Sequence, residues 1–405
     1  MNYLFVYTNG ARIGGVQTLT ARLAEGLLEA GDTAKALFLS EISDGVDRLL
    51  PERCGRLSMP KRYRSSRLFP LNVRAWLRQH CREVDICVCF GKVAMHLAAA
   101  NLSCFDRRPG LVSYIVNDSE HVRVKARFRD RFYSYLFHDK YFYERLPDAD
   151  KFFMSETVLR IHEESVNRRL SDARVVPLPI KAPANTCRTR LRPFRMVSIG
   201  RIDGIMKTYN FTMPRVVREL RDEGYEVSWD VYGGGVRNDV EKFLNGVKDN
   251  GVEGYVTWHG ELPYSEMKHA LDNASAFLGM GTAAIEAAMH GIPSIVAVAN
   301  AAEPVCYGFL HDLPFGMCGE ARAYWVERKG IKGILSELYH SCPSDLEALA
   351  VLDQEHARQY EFRKIVSRFR QFAEQSRKVA VRPYPISWSL LQCLNGLRFN
   401  LAPST

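Results

Sequence analysis

The stretch Phe277–Ala297, FLGMGTAAIEAAMHGIPSIVA, has the order of a strand, a turn, a helix and a second strand. The first apolar residues lead into a turn with two glycines, Gly279 and Gly281, and the alanine-rich segment after them predicts a helix. The Ile-Val run at the end predicts a buried strand. Strand–helix–strand order is typical of a parallel sheet, so the stretch predicts an α/β fold.

The same alternation occurs on both sides of a polar, proline-containing stretch, residues 181–193, which we interpret as a linker. Before it, strands such as YLFVYT and VDICVCFG alternate with helices such as VQTLTARLAEGLLEAG. After it, strands such as FRMVSIG and EVSWDVYGGG alternate with helices such as TMPRVVRELRDEG. The nearly continuous apolar strands predict a doubly wound parallel sheet in each half.

The length of 405 residues exceeds what one hydrophobic core usually supports. We therefore predict three parts: a Rossmann-like domain over residues 1–185, a second Rossmann-like domain over residues 193–360, and a C-terminal helical segment over residues 361–405. We expect that last segment to pack back on the N-terminal domain. Two doubly wound domains place a ligand cleft between them, at the carboxyl ends of the strands.

The composition, with 46% hydrophobic and 25% charged residues, is that of a globular protein, and the net charge of +9 suits an anionic partner. The ten cysteines contain no C-x-x-C pair, and the first residues lack the apolar stretch of a signal peptide. We therefore expect buried free thiols in a reducing cytoplasm. No apolar run reaches the length of a membrane-spanning helix, so any membrane contact is expected to be peripheral.

Two cations, Arg201 and Lys207, follow the strand FRMVSIG. The carboxyl ends of strands in open α/β sheets are where ligands bind. The fork of donors on an arginine and the mobile charge of a lysine together suit a diphosphate. The alternative is that both side chains are solvated surface cations.

Small residues and one acid follow the strand of the opening stretch. Gly279 and Gly281 would let a ligand approach the backbone, and the helix that begins near Thr282 and Ala283 would offer free N–H groups to phosphate. Glu286 would then accept hydrogen bonds from ribose hydroxyls, unless it only offsets the helix dipole. A second glycine pair, Gly14-Gly15, precedes the first helix and would meet phosphate or acceptor, unless it only fits the turn.

Taken in this order, the motifs resemble the GT-B glycosyltransferases of the retaining family 4 type. The matching pieces are Gly14-Gly15, Gly200-Arg201 with the later Lys207, the strand end VYGGG, the segment VTWHGELPYSEMKHAL, and EAAMHGIPSIVA. The resemblance implies a GT-B fold: two Rossmann-like domains that face an interdomain cleft, the N-terminal one binding the acceptor and the C-terminal one the nucleotide sugar.

The resemblance also implies residue roles. Arg201 and Lys207 would hold the donor diphosphate and Glu286 the ribose. Further donor contacts would come from Gly14, Gly15, Gly279, Gly281, Thr282 and Ala283. No metal or other cofactor is expected, because the two cations and the helix dipole offset the charge of the leaving group.

Two departures from the family pattern stand out. Leu278 occupies the position of the first of two glutamates spaced eight residues apart, and this acid usually contacts the transferred sugar. Donor choice or orientation is therefore expected to differ, or activity to be lost. The histidine of the first domain is not plainly placed either. The candidates for contact with acceptor or sugar are Asn117, Asp118 and His121.

Two stretches of the first domain combine cations with aromatic residues. They suit a membrane surface with anionic headgroups, single-stranded nucleic acid, or a merely solvated rim. The resemblance favours the membrane, and no nucleic-acid-binding motif accompanies the charges, so we expect no nucleic acid partner. The cations are Lys61, Arg62, Arg64, Arg67, Arg123, Lys125 and Arg127.

The expected function is transfer of a sugar, with retention, from a nucleotide sugar to a glycan or lipid-linked acceptor during synthesis of a bacterial surface polysaccharide. Lipopolysaccharide, O-antigen and capsule are the classes considered. The expected location is the cytoplasm, peripherally on the inner membrane. Two alternatives stay open: an enzyme similar to a sugar-nucleotide epimerase, and a catalytically degenerate protein that binds nucleotide or acts as a scaffold.

Overall fold

The computed structural model describes residues 1–8, 15–64, 69, 71–116, 120, 135–376 and 382–394, of which 135–137 and 391–394 are described by their backbone alone. The described residues fall into two compact units. The first unit takes its residues from Met1–Pro179 and Phe362–Thr405, and the second unit is Ile180–Glu361. The chain therefore leaves the first unit, builds the second and returns.

Each unit contains a seven-stranded sheet in its described part. The strands of the first unit are β1 (Asn2–Tyr7), β2 (Thr33–Phe38), β3 (Gly55–Ser58), β4 (Ile86–Phe90), β5 (Gly110–Ile115), β6 (Lys151–Phe153) and β7 (Arg174–Val175). Those of the second unit are β8 (Phe194–Ile199), β9 (Val227–Tyr232), β10 (Val256–Trp258), β11 (Ala276–Gly279), β12 (Ser294–Ala297), β13 (Val305–Phe309) and β14 (Lys329–Gly330).

The helices follow the strands along the chain. The helices within Met1–Pro179 are α1 (Gly15–Glu29), α2 (Asp44–Leu49), α3 (Lys61–Arg64), α4 (Arg74–His80), α5 (Lys92–Ala100), α6 (Tyr135–Lys140) and α7 (Glu156–Val166). Then come α8 (Tyr209–Asp222), α9 (Arg237–Asp249), α10 (Met267–Leu271), α11 (Thr282–Met289), α12 (Ile331–His340), α13 (Pro343–Ala357), α14 (Phe362–Ser376) and α15 (Ile386–Leu394).

The two sheets have the same strand order. It is β3-β2-β1-β4-β5-β6-β7 in the first unit and β10-β9-β8-β11-β12-β13-β14 in the second. All pairs in the first sheet are parallel. In the second sheet β13 pairs antiparallel with both β12 and β14. The predicted doubly wound α/β architecture is confirmed, and the antiparallel edge of the second sheet is a feature that the sequence analysis did not predict.

The core of the first unit contains a row of aromatic rings across its sheet. Tyr7, Phe90, Tyr114 and Phe152 lie on neighbouring strands, with successive ring centroids 5.2, 5.4 and 6.2 Å apart. Phe369 of α14 packs against the end of this row, with its ring centroid 5.9 Å from that of Phe152. Such pairs add to the stabilisation that comes from burial itself. The aromatic row is thus closed by a helix that follows the second unit in the chain.

Two further contacts hold α14 in the first unit. A Cβ on Gly26 of α1 would lie 2.5 Å from a methyl group of Val366, so the glycine permits close helix packing. The buried carboxylate of Asp32 accepts hydrogen bonds from the N-terminal ammonium of Met1 at 2.7 Å and from Arg370 Nε at 2.8 Å. A buried charge is tolerated only when it is paired in this way.

The stretch 181–193, interpreted above as a linker, contains no helix or strand but is hydrogen-bonded within the second unit. Cys187 N–H donates to the carbonyl of His290 at 2.7 Å, and Asn273 N–H donates to the carbonyl of Arg188 at 2.8 Å. The division between the units falls before this stretch, after Pro179.

Candidate functional site

The chain after β8 stays hydrogen-bonded to the chain after β9, because the glycines that follow β9 leave room for it. Gly200 N–H donates to the carbonyl of Tyr232, and Ile202 N–H donates to the carbonyl of Gly234, both at 2.8 Å. Gly233 has φ +140°, and a Cβ there would overlap the carbonyl oxygen of Gly200. The run VYGGG therefore serves to place the residues after β8 at the edge of the sheet.

The loop after β8 folds back over the strand end. The Asp203 carboxylate accepts hydrogen bonds from the backbone N–H groups of Ile205 and Met206, both at 2.9 Å. This turn returns Lys207 toward the sheet, where its Nζ lies so close to Gly200 that a Cβ on Gly200 would overlap it. Gly200, with φ +150°, is therefore needed both for its conformation and for the space that Lys207 occupies.

The charges at this end of β8 do not balance. Lys207 is half-buried, and burial together with the neighbouring charge of Arg201 lowers the pKa of Lys207 to about 8, although Asp203 acts in the opposite direction. Within the described ranges, no carboxylate forms an ion pair with Lys207. Arg201 is 71% exposed, and its guanidinium lies 3.4 Å from Asp203. Two cations share one acid, which leaves a site that favours an anion.

The start of α11 lies beside these cations, because β11 and β8 are parallel neighbours with Phe277 opposite Val197. Gly281 precedes α11 with φ +70°, and no atom of the described chain would lie within 4 Å of a Cβ on it. Thr282 and Ala283 are part-exposed, whereas the helix is buried from Ala284 to Met289. The first turn of α11 is thus the part of this helix that a ligand can reach.

Glycine is required at the two positions of this turn, Gly279 and Gly281, for different reasons. A Cβ on Gly279 would lie 2.6 Å from the ring of Phe277 and 3.6 Å from the hydroxyl of Tyr209, the first residue of α8. Packing therefore accounts for Gly279, and a donor contact at this residue stays a prediction. Gly281 has open space around it, and its positive φ is the feature that requires glycine.

Glu286 and Leu278 are both buried. Glu286, on α11, is 6% exposed, so only a small part of this residue is accessible to a ribose. Leu278 is fully buried in β11, opposite Ile295 of β12. At the position where the resemblance places a sugar-contacting acid, the side chain belongs to the hydrophobic core.

An acid that the sequence analysis did not single out lies next to the start of α11. Gly281 N–H donates to the carbonyl of Cys318 at 2.6 Å, and the Glu320 carboxylate accepts a hydrogen bond from the Cys318 N–H at 2.9 Å. Glu320 belongs to the connection between the strands β13 and β14. The sequence analysis predicted neither of these two strands.

The first unit contributes fewer described candidates. Gly15 begins α1, as its predicted role requires. Another acid that the sequence analysis did not single out is Glu120. Its Oε1 would lie 3.4 Å from a Cβ on Gly91, which follows β4, and burial raises the pKa of Glu120 to about 7. The predicted residues Gly14, Asn117, Asp118 and His121 lie outside the described residues.

The cations predicted to meet a membrane differ in their surroundings. Lys61 and Arg62 of α3 are exposed, whereas Arg64 donates a hydrogen bond to the carbonyl of Leu39 at 3.0 Å and so supports the fold. In the part of the chain that the structure describes, no helix has the length and apolar character needed to cross a membrane. The remaining cations of this group, Arg67, Arg123, Lys125 and Arg127, lie outside the described residues.

The two-unit architecture is similar to that of solved glycosyltransferase structures. HepE from Anabaena, solved in complex with UDP and glucose, is 13% identical with a TM-score of 0.64, and the match covers 93% of this chain and 100% of that one. The lipopolysaccharide outer core galactosyltransferase WaaB is 13% identical with a TM-score of 0.62, over 93% and 99% of the chains. Sucrose-phosphate synthase from Thermosynechococcus elongatus is 14% identical with a TM-score of 0.65, over 92% and 98%.

These likenesses define the class of fold. Together with the seven-stranded α/β sheet in each unit, they show that the chain has the GT-B fold, as the sequence analysis predicted. No family model and no curated protein matches the sequence. At identities of 13–14% the solved structures establish the fold alone.

Proposed function

We propose that the protein is a glycosyltransferase that moves a sugar from a nucleotide sugar to a hydroxyl of an acceptor. The observation that carries this proposal is Lys207: a half-buried lysine with a lowered pKa, beside Arg201, at the carboxyl edge of a doubly wound sheet. An anion is the ligand that relieves the repulsion between the two cations. The presence of UDP and glucose in the HepE structure supports the assignment of that anion as a nucleoside diphosphate.

In the proposed mechanism, Arg201 and Lys207 bind the diphosphate of the donor and offset the charge that develops as it leaves. The N–H groups at Thr282 and Ala283 face the phosphate or sugar, and the accessible part of Glu286 accepts a ribose hydroxyl. The bond from the anomeric carbon to the diphosphate oxygen breaks, and a bond to the acceptor oxygen forms. The acceptor proton passes to the departing diphosphate. With two protein cations in place, we propose that no metal ion is needed.

We further propose that the reaction transfers a hexose with retention, as in the family 4 type, since the acceptor attacks from the face that the diphosphate leaves. The proposed pathway is synthesis of a bacterial surface polysaccharide on a glycan or lipid-linked acceptor. The description of WaaB as a lipopolysaccharide outer core galactosyltransferase supports this choice. NMR analysis of the product separates the alternatives: a new α-linkage supports transfer, and an altered free nucleotide sugar supports an epimerase.

The central experiment measures binding of UDP and GDP by calorimetry before and after Lys207→Met. Loss of a charge-assisted contact to phosphate should weaken binding roughly 10- to 100-fold. Lys248→Met, at an exposed lysine of α9, is the matched control and should leave affinity unchanged. Equal affinities for the wild type and Lys207→Met would contradict the proposed site, and a protein that binds nucleotide without turnover would support the degenerate alternative.

The proposed location is the cytoplasmic face of the inner membrane, with a peripheral contact. Lys61 and Arg62 are exposed and adjacent on α3, which suits anionic headgroups. Flotation with vesicles of phosphatidylglycerol and phosphatidylcholine should carry the wild type but less of a Lys61→Ala/Arg62→Ala variant. Equal recovery of both proteins with the phosphatidylglycerol-containing vesicles, or equal recovery of the wild type on pure phosphatidylcholine, would count against this contact.

A further inference from the structure

We infer that Glu320 binds hydroxyl groups of the sugar that is transferred and so helps to determine which donor sugar the protein accepts. This inference rests on the proposed function and deepens it, because it assigns the sugar end of the donor to a segment that the sequence motifs do not include. That segment, residues 316–320, lies in the connection between β13 and β14.

The segment lies directly against the turn before α11. The carbonyl of Cys318 accepts the hydrogen bond from Gly281 N–H at 2.6 Å. Gly319, with φ +117°, is so close to Met280 that a Cβ on Gly319 would lie 2.8 Å from the Cβ of Met280. Glu320 is therefore attached within two residues of a contact to the turn that begins the accessible part of α11.

Several hydrogen bonds fix the segment in place. Gly316 N–H donates to the hydroxyl of Tyr360 at 2.6 Å, and Ala299 N–H donates to the carbonyl of Gly319 at 2.8 Å. The hydroxyl of Tyr307 donates to the carbonyl of Glu320 at 2.7 Å. A side chain on a backbone held at both ends loses little entropy when it binds a ligand, which is the property that a specificity residue needs.

The carboxylate of Glu320 is also oriented. One of its oxygens accepts the Cys318 N–H at 2.9 Å, so the side chain turns back toward the contact with Gly281. Burial raises the pKa of the Cys318 thiol well above its ordinary value, and the negative charge of the nearby Glu320 carboxylate raises it further. A carboxylate has about four acceptor sites, and the Cys318 N–H occupies one of them.

The side chains on the two sides of the turn after β11 carry opposite charges. This difference determines which end of the donor lies on which side. Arg201 and Lys207 follow β8, the neighbour of β11 on one side, and suit the diphosphate. Glu320 would repel a diphosphate, but it accepts hydrogen bonds from a neutral polyol without this penalty. The diphosphate therefore lies toward β8, and the sugar lies toward residues 316–320.

The test compares wild-type protein with Glu320→Gln, which keeps the shape and can still accept the Cys318 N–H but removes the charge. Calorimetry gives affinities for UDP, GDP, and the UDP- and GDP-hexoses that stabilise the wild type most in a thermal screen. We expect the ratio of nucleotide-sugar affinity to diphosphate affinity to fall about tenfold or more. Diphosphate affinity itself should stay the same or rise. Glu327→Gln, at an exposed acid of the same β13–β14 connection, is the control and should leave both affinities unchanged.

The outcomes separate the two proposals. If the wild type binds neither UDP nor GDP, the proposed function fails and this inference with it. If diphosphate binding is intact and the affinity ratio is the same in Glu320→Gln, only the inference is overturned. A purely structural role would lower the melting temperature and weaken both kinds of ligand together, and that result also overturns it. If Glu320→Gln does not fold, Glu320→Asp, which keeps the charge but withdraws it by one methylene, is measured in the same way.

Discussion

The first and second sheets have one strand order, yet their most distinctive residues are in different places. In the first sheet, the aromatic row from Tyr7 to Phe152 is buried, and Phe369 of α14 packs against its end at Phe152. In the second, Arg201 and Lys207 at the carboxyl edge carry more positive charge than nearby acids neutralise. The same topology therefore provides an edge where ligands can bind in both sheets, and the side chains at that edge decide whether it is used.

The largest effect on stability is expected at Leu278. The resemblance places a sugar-contacting acid at this position, whereas the structure places the side chain in the core. Leu278→Glu would restore the acid of the family pattern but would bury an unpaired charge in the core of the second unit. We expect a loss of more than about 4 kcal/mol in the free energy of unfolding. Urea unfolding followed by circular dichroism measures this. Leu278→Met should cost less than about 1.5 kcal/mol. A stable Leu278→Glu protein with improved donor binding would show that this position belongs to the ligand site and not to the core.

In the first sheet, Phe369→Ala should remove the buried ring that packs against Tyr3, Phe5 and Phe152 and lower the free energy of unfolding by about 3–5 kcal/mol. Hydrogen exchange should accelerate in β1, β4 and β5 and stay unchanged in β8 and β9. Gln371→Ala, at an exposed position of the same helix, is the control. Faster exchange in the second unit alone would show that α14 does not have the role in the first sheet that we assign to it.

Much of the second unit could be predicted from the sequence because its signals are local. The loop with Arg201 and Lys207 follows an apolar strand, and the start of α11 follows a glycine turn, as the pattern indicated. We expected residues 361–405 to pack back on the N-terminal domain, but the particular contacts of α14 could not be predicted from periodicity, since an amphipathic helix does not specify which surface it covers. Glu320 escaped notice because the short β14 and the irregular residues before it have no period.

A smaller effect concerns pH at the cationic edge. Phosphate binds the protonated form of Lys207, whose pKa is about 8 in the free protein, so nucleoside diphosphate affinity should be highest below pH 8. Above that pH it should fall by up to about tenfold per pH unit. Lys207→Arg keeps its charge throughout and should flatten the profile. Calorimetry from pH 7 to 10 measures both proteins, and an equally steep fall in Lys207→Arg would exclude Lys207 as the titrating group.

The smallest effect distinguishes the two glycines of the β11–α11 turn. Gly281→Ala strains only the backbone, because the space around it is open, and should cost about 1–2 kcal/mol. Gly279→Ala instead forces the new methyl group into the ring of Phe277, a steric clash that should cost more. Thermal unfolding measures both variants. A larger loss in Gly281→Ala would mean that packing and conformation have been assigned to the wrong residues.

The return of the chain to the first unit has a consequence for synthesis on the ribosome. Every residue of the second unit, Ile180–Glu361, is translated before α14 exists. At roughly 5–20 residues per second, the unfinished first unit waits about 10–40 s with its aromatic surface bare. The unit that is translated second can thus mature first, and the nascent N-terminal part needs protection from aggregation until its last helix emerges.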